Sequence, residues 1–369
     1  MTLVQPGAAA GLPADLTQTV VHLTQTAIAA SDLTDGVTPT LEHLVRSTAA
    51  VGSAFFQVGG GSLAYHVRAA TGEMPATPGM QAIAAHGLPA DTPLMRALEV
   101  APAPMFFPDT GTSPVTAGFP DLGVASLAAA PVRDGQGRLL GAFLMHTFTP
   151  HEWAPWEADL FTLVAGTIAS LAGRLTAEEA ARAAREEALR ALGLALEARD
   201  RETHGHTDRV AGLAVRLATH LGWDDARVRA LRWGAYLHDI GKIAIPDAVL
   251  LKPGPFTPDE RTVMETHVQA GVSFATALTF LPAVALAVIH DHHERWDGQG
   301  YPTGKRGQEI TVEGRLFALC DVYDALTSAR PYKRAWTHGE AMDELRAQAG
   351  RQFDPALVDA FHEMMAALN

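Results

Sequence analysis

The spacing of apolar positions changes character twice along the chain. Residues 1 to about 175 mix two periods: helical patterns near 16–30 and 38–49 give way to strand-like runs, SAFFQV and LAYHVRAA, on either side of a Gly-rich turn. Two further runs, ASLAAAPV and RLLGAFLMHTF, are joined through Asp134-Gly135-Gln136-Gly137, a strong hairpin signal. The pattern predicts an α/β domain over 15–175 behind a tail of residues 1–14, closing with a helix from about Pro155. That helix has no stop signal. From Leu171 to Asp200 the chain is nearly all Ala, Glu, Arg and Leu, with Glu178/Arg182 and Glu186/Arg190 at the helix-supporting i,i+4 spacing, so a helical linker is expected over 176–200. Ala181, Ala184, Ala188, Ala191 and Ala195 recur in a 3-4 alternation, which reads either as the seam of a parallel homodimer or as an alanine-rich surface helix.

After residue 200 the period is helical almost throughout, broken by the Pro- and Gly-rich loops IPD, KPGPFTPDE and DGQGYPTGKRGQEI, and an all-α domain over 201–369 is predicted. Within it, HDIGK at 238–242 follows the apolar helical positions Leu231, Ala235 and Leu237. A histidine beside an aspartate where burial is expected is costly unless a partner charge holds both.

Composition narrows the chemistry. With 369 residues, 47% of them hydrophobic, the chain can bury two cores. The single cysteine, Cys320, excludes an internal disulfide framework and a thiolate-rich zinc site, and fits a reducing compartment. A formal charge of −13 argues against a nucleic-acid polymer as partner and leaves room for a small anionic ligand in a locally positive pocket. The start, MTLVQPGAAAGLPADL, lacks the pattern of a signal peptide, and no uncharged run reaches membrane-spanning length. A soluble, cytoplasmic protein with no membrane partner is expected.

Ten of the sixteen histidines follow residue 200, several beside carboxylates. Glu202 and His206 are four apart, which on a helix puts both on one face. His238-Asp239, His267 in ERTVMETHVQAG, His292-His293 in HDHHERWDGQGYP and Asp321 in RLFALCDVYDAL each interrupt an otherwise apolar helical stretch. Any one of them alone reads more simply as a core or surface residue. Imidazole and carboxylate donors from five segments, with no cysteine among them, suit a site of two or more iron, manganese or zinc ions. Metal charge is then the partner that the HDIGK pair requires.

HDIGK, followed by IPDAVLLKPGPFT and HHERWDGQGYP and then by CDVYDALTSARPYKRAW and GRQFDPALVDAF, resembles the HD-GYP family of cyclic-di-nucleotide phosphodiesterases over roughly 197–369. The resemblance implies an all-helical HD fold whose two or three divalent ions, iron or manganese with zinc as the alternative, are held by Glu202, His206, His238, Asp239, His267, His292, His293 and Asp321. It implies Asp239 as bridging carboxylate, Lys242 near the scissile phosphate, and Gly300, Tyr301, Pro302, Arg330 and Lys333 around a cyclic-di-GMP ligand. Lys242, three residues after Asp239 on nearly the same helix side, supplies a positive donor for a non-bridging oxygen; its plainer reading is a helix-end lysine. Arg330 and Lys333 otherwise form a solvated basic patch, and Tyr301 a structural aromatic in a tight loop. Two departures from the family pattern stand out: Val268 follows His267 where many members have proline, and the segment from Glu202 to His206 carries an extra His204. His204 and His290 read as surface or supporting residues, and Cys320 as a small buried apolar group.

The N-terminal block is similar to a GAF domain through the order of its elements and the stretch GVASLAAAPVRDGQGRLLGAFLMHTFTPHEWAPWEADLF, over about 15–175. That resemblance implies a sensing pocket whose ligand the sequence does not name. A thioether-linked bilin is excluded, because Cys320 lies outside the block, and His22, His43, His66, His86, His146 and His151 show no paired spacing for a haem. The expected protein is a metal-dependent cyclic-di-GMP phosphodiesterase that makes linear pGpG, GMP or both under GAF control. Its rivals are a non-hydrolysing cyclic-dinucleotide receptor and an HD hydrolase of another cyclic dinucleotide, such as cyclic GMP-AMP.

Overall fold

The computed structural model describes residues 32–58, 64–200, 205–329 and 334–367, with 25, 29 and 30. The chain divides into two compact units, Met1–Ala181 and Arg182–Asn369. The tail expected at 1–14 and the helix expected at 16–30 fall almost wholly outside the described residues.

In the N-terminal unit, α1 (Leu33–Ser47) precedes β1 (Gly52–Val58) and β2 (Ala64–Gly72). α2 (Pro78–His86), β3 (Leu88–Pro89), α3 (Pro93–Val100) and β4 (Met105–Phe107) follow, then β5 (Ser126–Arg133) and β6 (Leu139–Thr147). The six strands form one antiparallel sheet in the order β3-β2-β1-β6-β5-β4. The four sequence-predicted runs are its four central strands, and DGQG at 134 makes the turn between β5 and β6, with Asp134 Oδ1 accepting the Gln136 N–H at 2.9 Å. Side-chain alternation divides the core in two. Phe55 and Phe143 face α1 and the start of α4 (Pro155–Asp200), whose Phe161 stacks on Phe143 at 4.6 Å. Ala54, Phe56 and Leu144 face α3 on the other side, over Leu94, Met95 and Leu98.

The helix expected from about Pro155 runs without a break through the linker expected at 176–200, as α4. One stretch of α4 is apolar enough, by length and composition, to cross a bilayer, yet Leu160, Phe161, Val164, Ile168 and Leu171 are buried in the core of the N-terminal unit. The charge pairs expected along the helix are not the ones formed. Glu178 pairs with Arg174, Glu186 with Arg232, and Arg190 grips Asp208 with two bonds of 2.6 Å. A two-bond guanidinium–carboxylate fork outcompetes a single i,i+4 contact. Ala181, Ala184, Ala188, Ala191 and Ala195 are all exposed.

The C-terminal unit is helical, with no strand among the described residues: α5 (His206–His220), α6 (Asp225–Leu237), a 3₁₀ turn (Ile240–Ala244), α7 (Asp247–Leu250), α8 (Pro258–Thr276), α9 (Ala283–Asp291), α10 (Val312–Thr327), α11 (His338–Ala347) and α12 (Pro355–Ala366). Its core joins Leu217 of α5, Leu231 of α6, Phe317 of α10, Leu345 of α11 and Phe361 of α12, each fully buried. Each such side chain contributes roughly 1.5–3 kcal/mol. α8 starts inside the segment expected to be loop, because TPDE is a capping box: Thr257 and Glu260 exchange bonds of 3.3 and 2.7 Å around Pro258.

Candidate metal centre

Chain ends and crossings set the site. α6 stops at Leu237, so HDIGK is not one continuous α-helix: His238 caps α6, and Asp239 leads into the 3₁₀ turn. The turn still brings Asp239 and Lys242 to one side, because in a 3₁₀-helix residues i and i+3 eclipse; Lys242 Nζ lies 2.6 Å from Asp239 Oδ2. Gly241 allows the crossing. A Cβ there would stand 1.8 Å from the carbonyl oxygen of His267 and 2.4 Å from the amide of Gly271, so the turn lies directly on the backbone of α8.

The stretch expected to carry Glu202 and His206 on one helical face is described only from Gly205 onward. α4 ends at Asp200, α5 begins at His206, and Gly205 between them is left-handed with φ +80°. Glu202 and His204, like Arg330 and Lys333, lie outside the described residues. His292 and His293 follow the end of α9 rather than interrupting it, while His267 and Asp321 sit within α8 and α10 as expected.

Seven of the expected ligands converge in two abutting groups. Asp239, His267, His292 and His293 offer ligand atoms that all lie within 4.8 Å of one another, and so do His206, His238 and Asp321. The HD pair is the junction, with one residue in each group and 3.2 Å between His238 Nε2 and Asp239 Oδ2. Phe317 forms an apolar floor 4.8 Å from the His238 ring. Among the described residues of the N-terminal unit no such group occurs.

Hydrogen bonds fix how the rings present themselves. Nδ1 of His238, His267 and His292 meets the carbonyl three residues back, at 2.8 Å from Ala235, 2.8 Å from Met264 and 3.0 Å from Ile289. A proton on each Nδ1 donates to that carbonyl and turns Nε2 toward the cluster. His206 Nδ1 meets Asp324 Oδ2 at 2.8 Å, with its Nε2 3.4 Å from Asp321. Asp324 is buried and also accepts from Arg209 at 2.7 Å. His290 pairs with fully buried Asp291 at 2.6 Å, and Lys305 and Thr311 bind the same carboxylate, so this cluster ties α9 to the start of α10.

The electrostatics call for a cation. Burial holds His267 down to about 4 against the pull of Asp239, and burial with the neighbouring rings of His292 and His267 holds His293 well below its ordinary value. Both are neutral donors. Burial would lower His238 too, but Asp239 and Asp321 together lift it to about 9, a measure of the negative field at the junction. Asp239, which burial alone would raise, is held well below the carboxylate range by Lys242 and His238. Its Oδ1 is buried without a hydrogen-bond partner, 3.3 Å from His267 Nε2 and 3.8 Å from His292 Nε2. An orphaned anionic oxygen amid lone-pair imidazole nitrogens fits divalent metal and little else.

Gly300, Tyr301 and Pro302 pass close by. A Cβ on Gly300 would fall 2.4 Å from the amide of Arg295, and Tyr301, after accepting this approach, stacks on His293 at 4.6 Å. Tyr301 and Pro302 border an open groove of about 640 Å³ along α8, lined by Glu265, Thr266 and Gln269. DGQG at 297 is again a turn, with Asp297 Oδ1 accepting the Gln299 N–H at 3.1 Å. The N-terminal unit has a cavity of about 30 Å³ whose apolar lining, including Phe56, Phe119 and Leu144, is broken by His146. That is small beside the roughly 150 Å³ that admits benzene.

Comparison with known proteins accords with both units. Residues 191–357 match the HD domain and residues 32–171 the GAF domain. The cyclic di-GMP phosphodiesterase response regulator RpfG of Xanthomonas campestris pv. campestris is 47% identical over 176 residues, 47% of this chain and 46% of that protein. A cyclic di-GMP phosphodiesterase of Thermotoga maritima is 42% identical over 177 residues, 47% of this chain and 48% of the relative. The 3'3'-cGAMP-specific phosphodiesterase 2 of Vibrio cholerae is 42% identical over 173 residues, 47% of this chain and 33% of the relative. The chain thus spans about half the length of these relatives or less.

Proposed function

For a chain that carries an HD domain behind an N-terminal GAF domain, we propose a metal-dependent phosphodiesterase that hydrolyses cyclic-di-GMP to pGpG, GMP or both. The observation that carries the reading is the junction of two ligand groups at the HD pair, with Lys242 held against it. His206, His238 and Asp321 would hold one ion and Asp239, His267, His292 and His293 another, with Asp239 shared between them. Glu202 would serve a third, on the strength of the resemblance. Ions in such a pair supply Lewis-acid charge to a phosphoryl oxygen and make hydroxide available near neutral pH.

The chain's own residues do the rest. Lys242 presents an ammonium from the same turn as Asp239, placed to donate to a non-bridging phosphate oxygen. Tyr301, already stacked on His293, offers a face or hydroxyl to a base, and the groove beside it is wide enough for part of a dinucleotide. Arg330 and Lys333 would take the second phosphate. The reading includes iron or manganese as the metal, a homodimer through the exposed alanine stripe of α4, a GAF unit that regulates turnover in response to its own ligand, and a reducing, cytoplasmic setting.

The similarity to a 3'3'-cGAMP-specific enzyme favours one second reading, a mixed cyclic dinucleotide as substrate. Purified anaerobically and loaded with iron or manganese, the protein is expected to hold at least two ions per chain and to consume cyclic-di-GMP faster than 3'3'-cGAMP by chromatography. The opposite preference would move it to the second reading. Tight binding with no turnover in any metal would make it a receptor.

A further inference from the structure

α4 does not merely end near the site; its last two residues hold it. Arg199 donates to the carbonyls of Lys242 at 3.1 Å, Ile243 at 2.9 Å and Ile245 at 3.1 Å, and to the Asp247 carboxylate at 2.8 Å. The Lys242 carbonyl also accepts the Ile245 N–H at 3.0 Å, and one guanidinium ties all three carbonyls together at the end of the turn. Asp200 reaches the same turn from the other side of the chain. Its carboxylate is 4% exposed, and Oδ2 lies 3.0 Å from Lys242 Nζ. A buried carboxylate is costly without a counter-charge, and Lys242 supplies one.

Among the described residues, Lys242 therefore stands between two carboxylates, Asp239 at 2.6 Å and Asp200 at 3.0 Å. Asp239 belongs to a ligand group and Asp200 to neither. When metal engages Asp239, the lysine loses much of that attraction, and Asp200 is a carboxylate outside both ligand groups that still holds the ammonium at the site. We propose that Arg199 and Asp200 are positioning residues for the hydrolytic centre: Arg199 fixes the 3₁₀ turn, and Asp200 aims Lys242 at the phosphodiester independently of Asp239. The proposal rests on the phosphodiesterase reading above for its consequence, though not for its geometry.

Two measurements on the metal-loaded full chain test it. The first needs no turnover: competitive acetylation read by mass spectrometry, with Lys252 and Lys305 as internal references. Asp200→Asn should make Lys242 several-fold more reactive while metal content stays at the wild-type level, and Asp200→Glu should restore protection. Unchanged Lys242 reactivity in Asp200→Asn overturns the proposal whatever the enzyme does. The second is a double-mutant cycle on hydrolysis: Asp200→Asn should lower kcat roughly 10- to 100-fold with little change in KM, and should add less than about 3-fold in a Lys242→Ala background. Full additivity overturns the role of Asp200 in aiming the lysine. A wild-type protein that hydrolyses nothing yet shows the labelling shift would refute the phosphodiesterase reading and leave the positioning contact standing.

Discussion

Asp324 Oδ2 accepts a bond from His206 Nδ1 at 2.8 Å across 118 residues of sequence, which turns Nε2 of that ring toward Asp321 and the junction. A supporting carboxylate of this kind fixes both the tautomer and the aim of a ligand. Asp324→Asn is therefore expected to weaken metal binding about 10- to 100-fold while leaving the group around His267 loaded. Isothermal titration of the metal-free protein checks it; two unchanged binding steps would reduce Asp324 to a partner of Arg209.

The junction should couple metal to protons. His238 is raised to about 9 from its ordinary value, so a proton occupies the site at neutral pH and must leave when metal enters. Apparent affinity should rise with pH up to about 9, with proton release visible as a dependence of the binding heat on buffer. The stability sign follows. A folded pKa above the unfolded one contributes stability that is full below about 6.5 and lost as pH rises through about 9. The metal-free C-terminal unit should thus lose thermal stability over that window, and the metal-loaded one should not.

Asp239→Ala should abolish hydrolysis and lower metal content, because Asp239 is the one carboxylate of its ligand group and its Oδ2 lies 3.2 Å from His238 of the other. Lys242→Ala should cut turnover by about 10²-fold or more with both ions retained. A lysine variant at full rate would remove Lys242 from the chemistry.

Gly241→Ala places a methyl group 1.8 Å from the His267 carbonyl oxygen, a clash between backbones that no rotamer change relieves. The expected loss is about 3 kcal/mol or more, seen in denaturant unfolding and accompanied by reduced metal uptake, since the turn and α8 carry ligands on both sides of the contact.

The alanine stripe of α4 is exposed throughout, so Ala188→Glu disturbs nothing within the monomer. If the stripe joins two copies, the variant should sediment as a monomer and respond differently to whatever the GAF unit senses. A variant unchanged in mass and rate leaves the helix as ordinary surface.

Local chemistry was legible in the sequence and remote support was not. The β5–β6 turn was readable because Asp134 bonds two residues on, within a window any reader scans. The ligand residues were readable because each is an ionisable group in an apolar stretch. β3 and β4, two and three residues long, are too short to show a period. The start of α5 at His206 was not legible either, because it is set by Gly205, whose left-handed backbone precedes the helix. Asp200 and Asp324 went unread because their partners lie 42 and 118 residues away, and only the fold reveals why a carboxylate is buried there. TPDE was legible in principle, as a threonine three residues before a glutamate with proline between, but its position in a Pro-rich loop hid it.

Cys320 lies fully buried in α10 beside Asp321, and burial pushes its thiol up. Thiol reagents attack the thiolate, so a folded C-terminal unit is inert to them. The only sulfhydryl in the chain thus works as an internal clock: each labelling event records one opening of the core that underlies the ligand groups, and the N-terminal unit is silent. When metal binds only the closed form, labelling should slow in proportion to the ratio of free metal to its Kd, about tenfold for each tenfold excess. A stopwatch of this kind reads metal affinity from kinetics alone, with no substrate present.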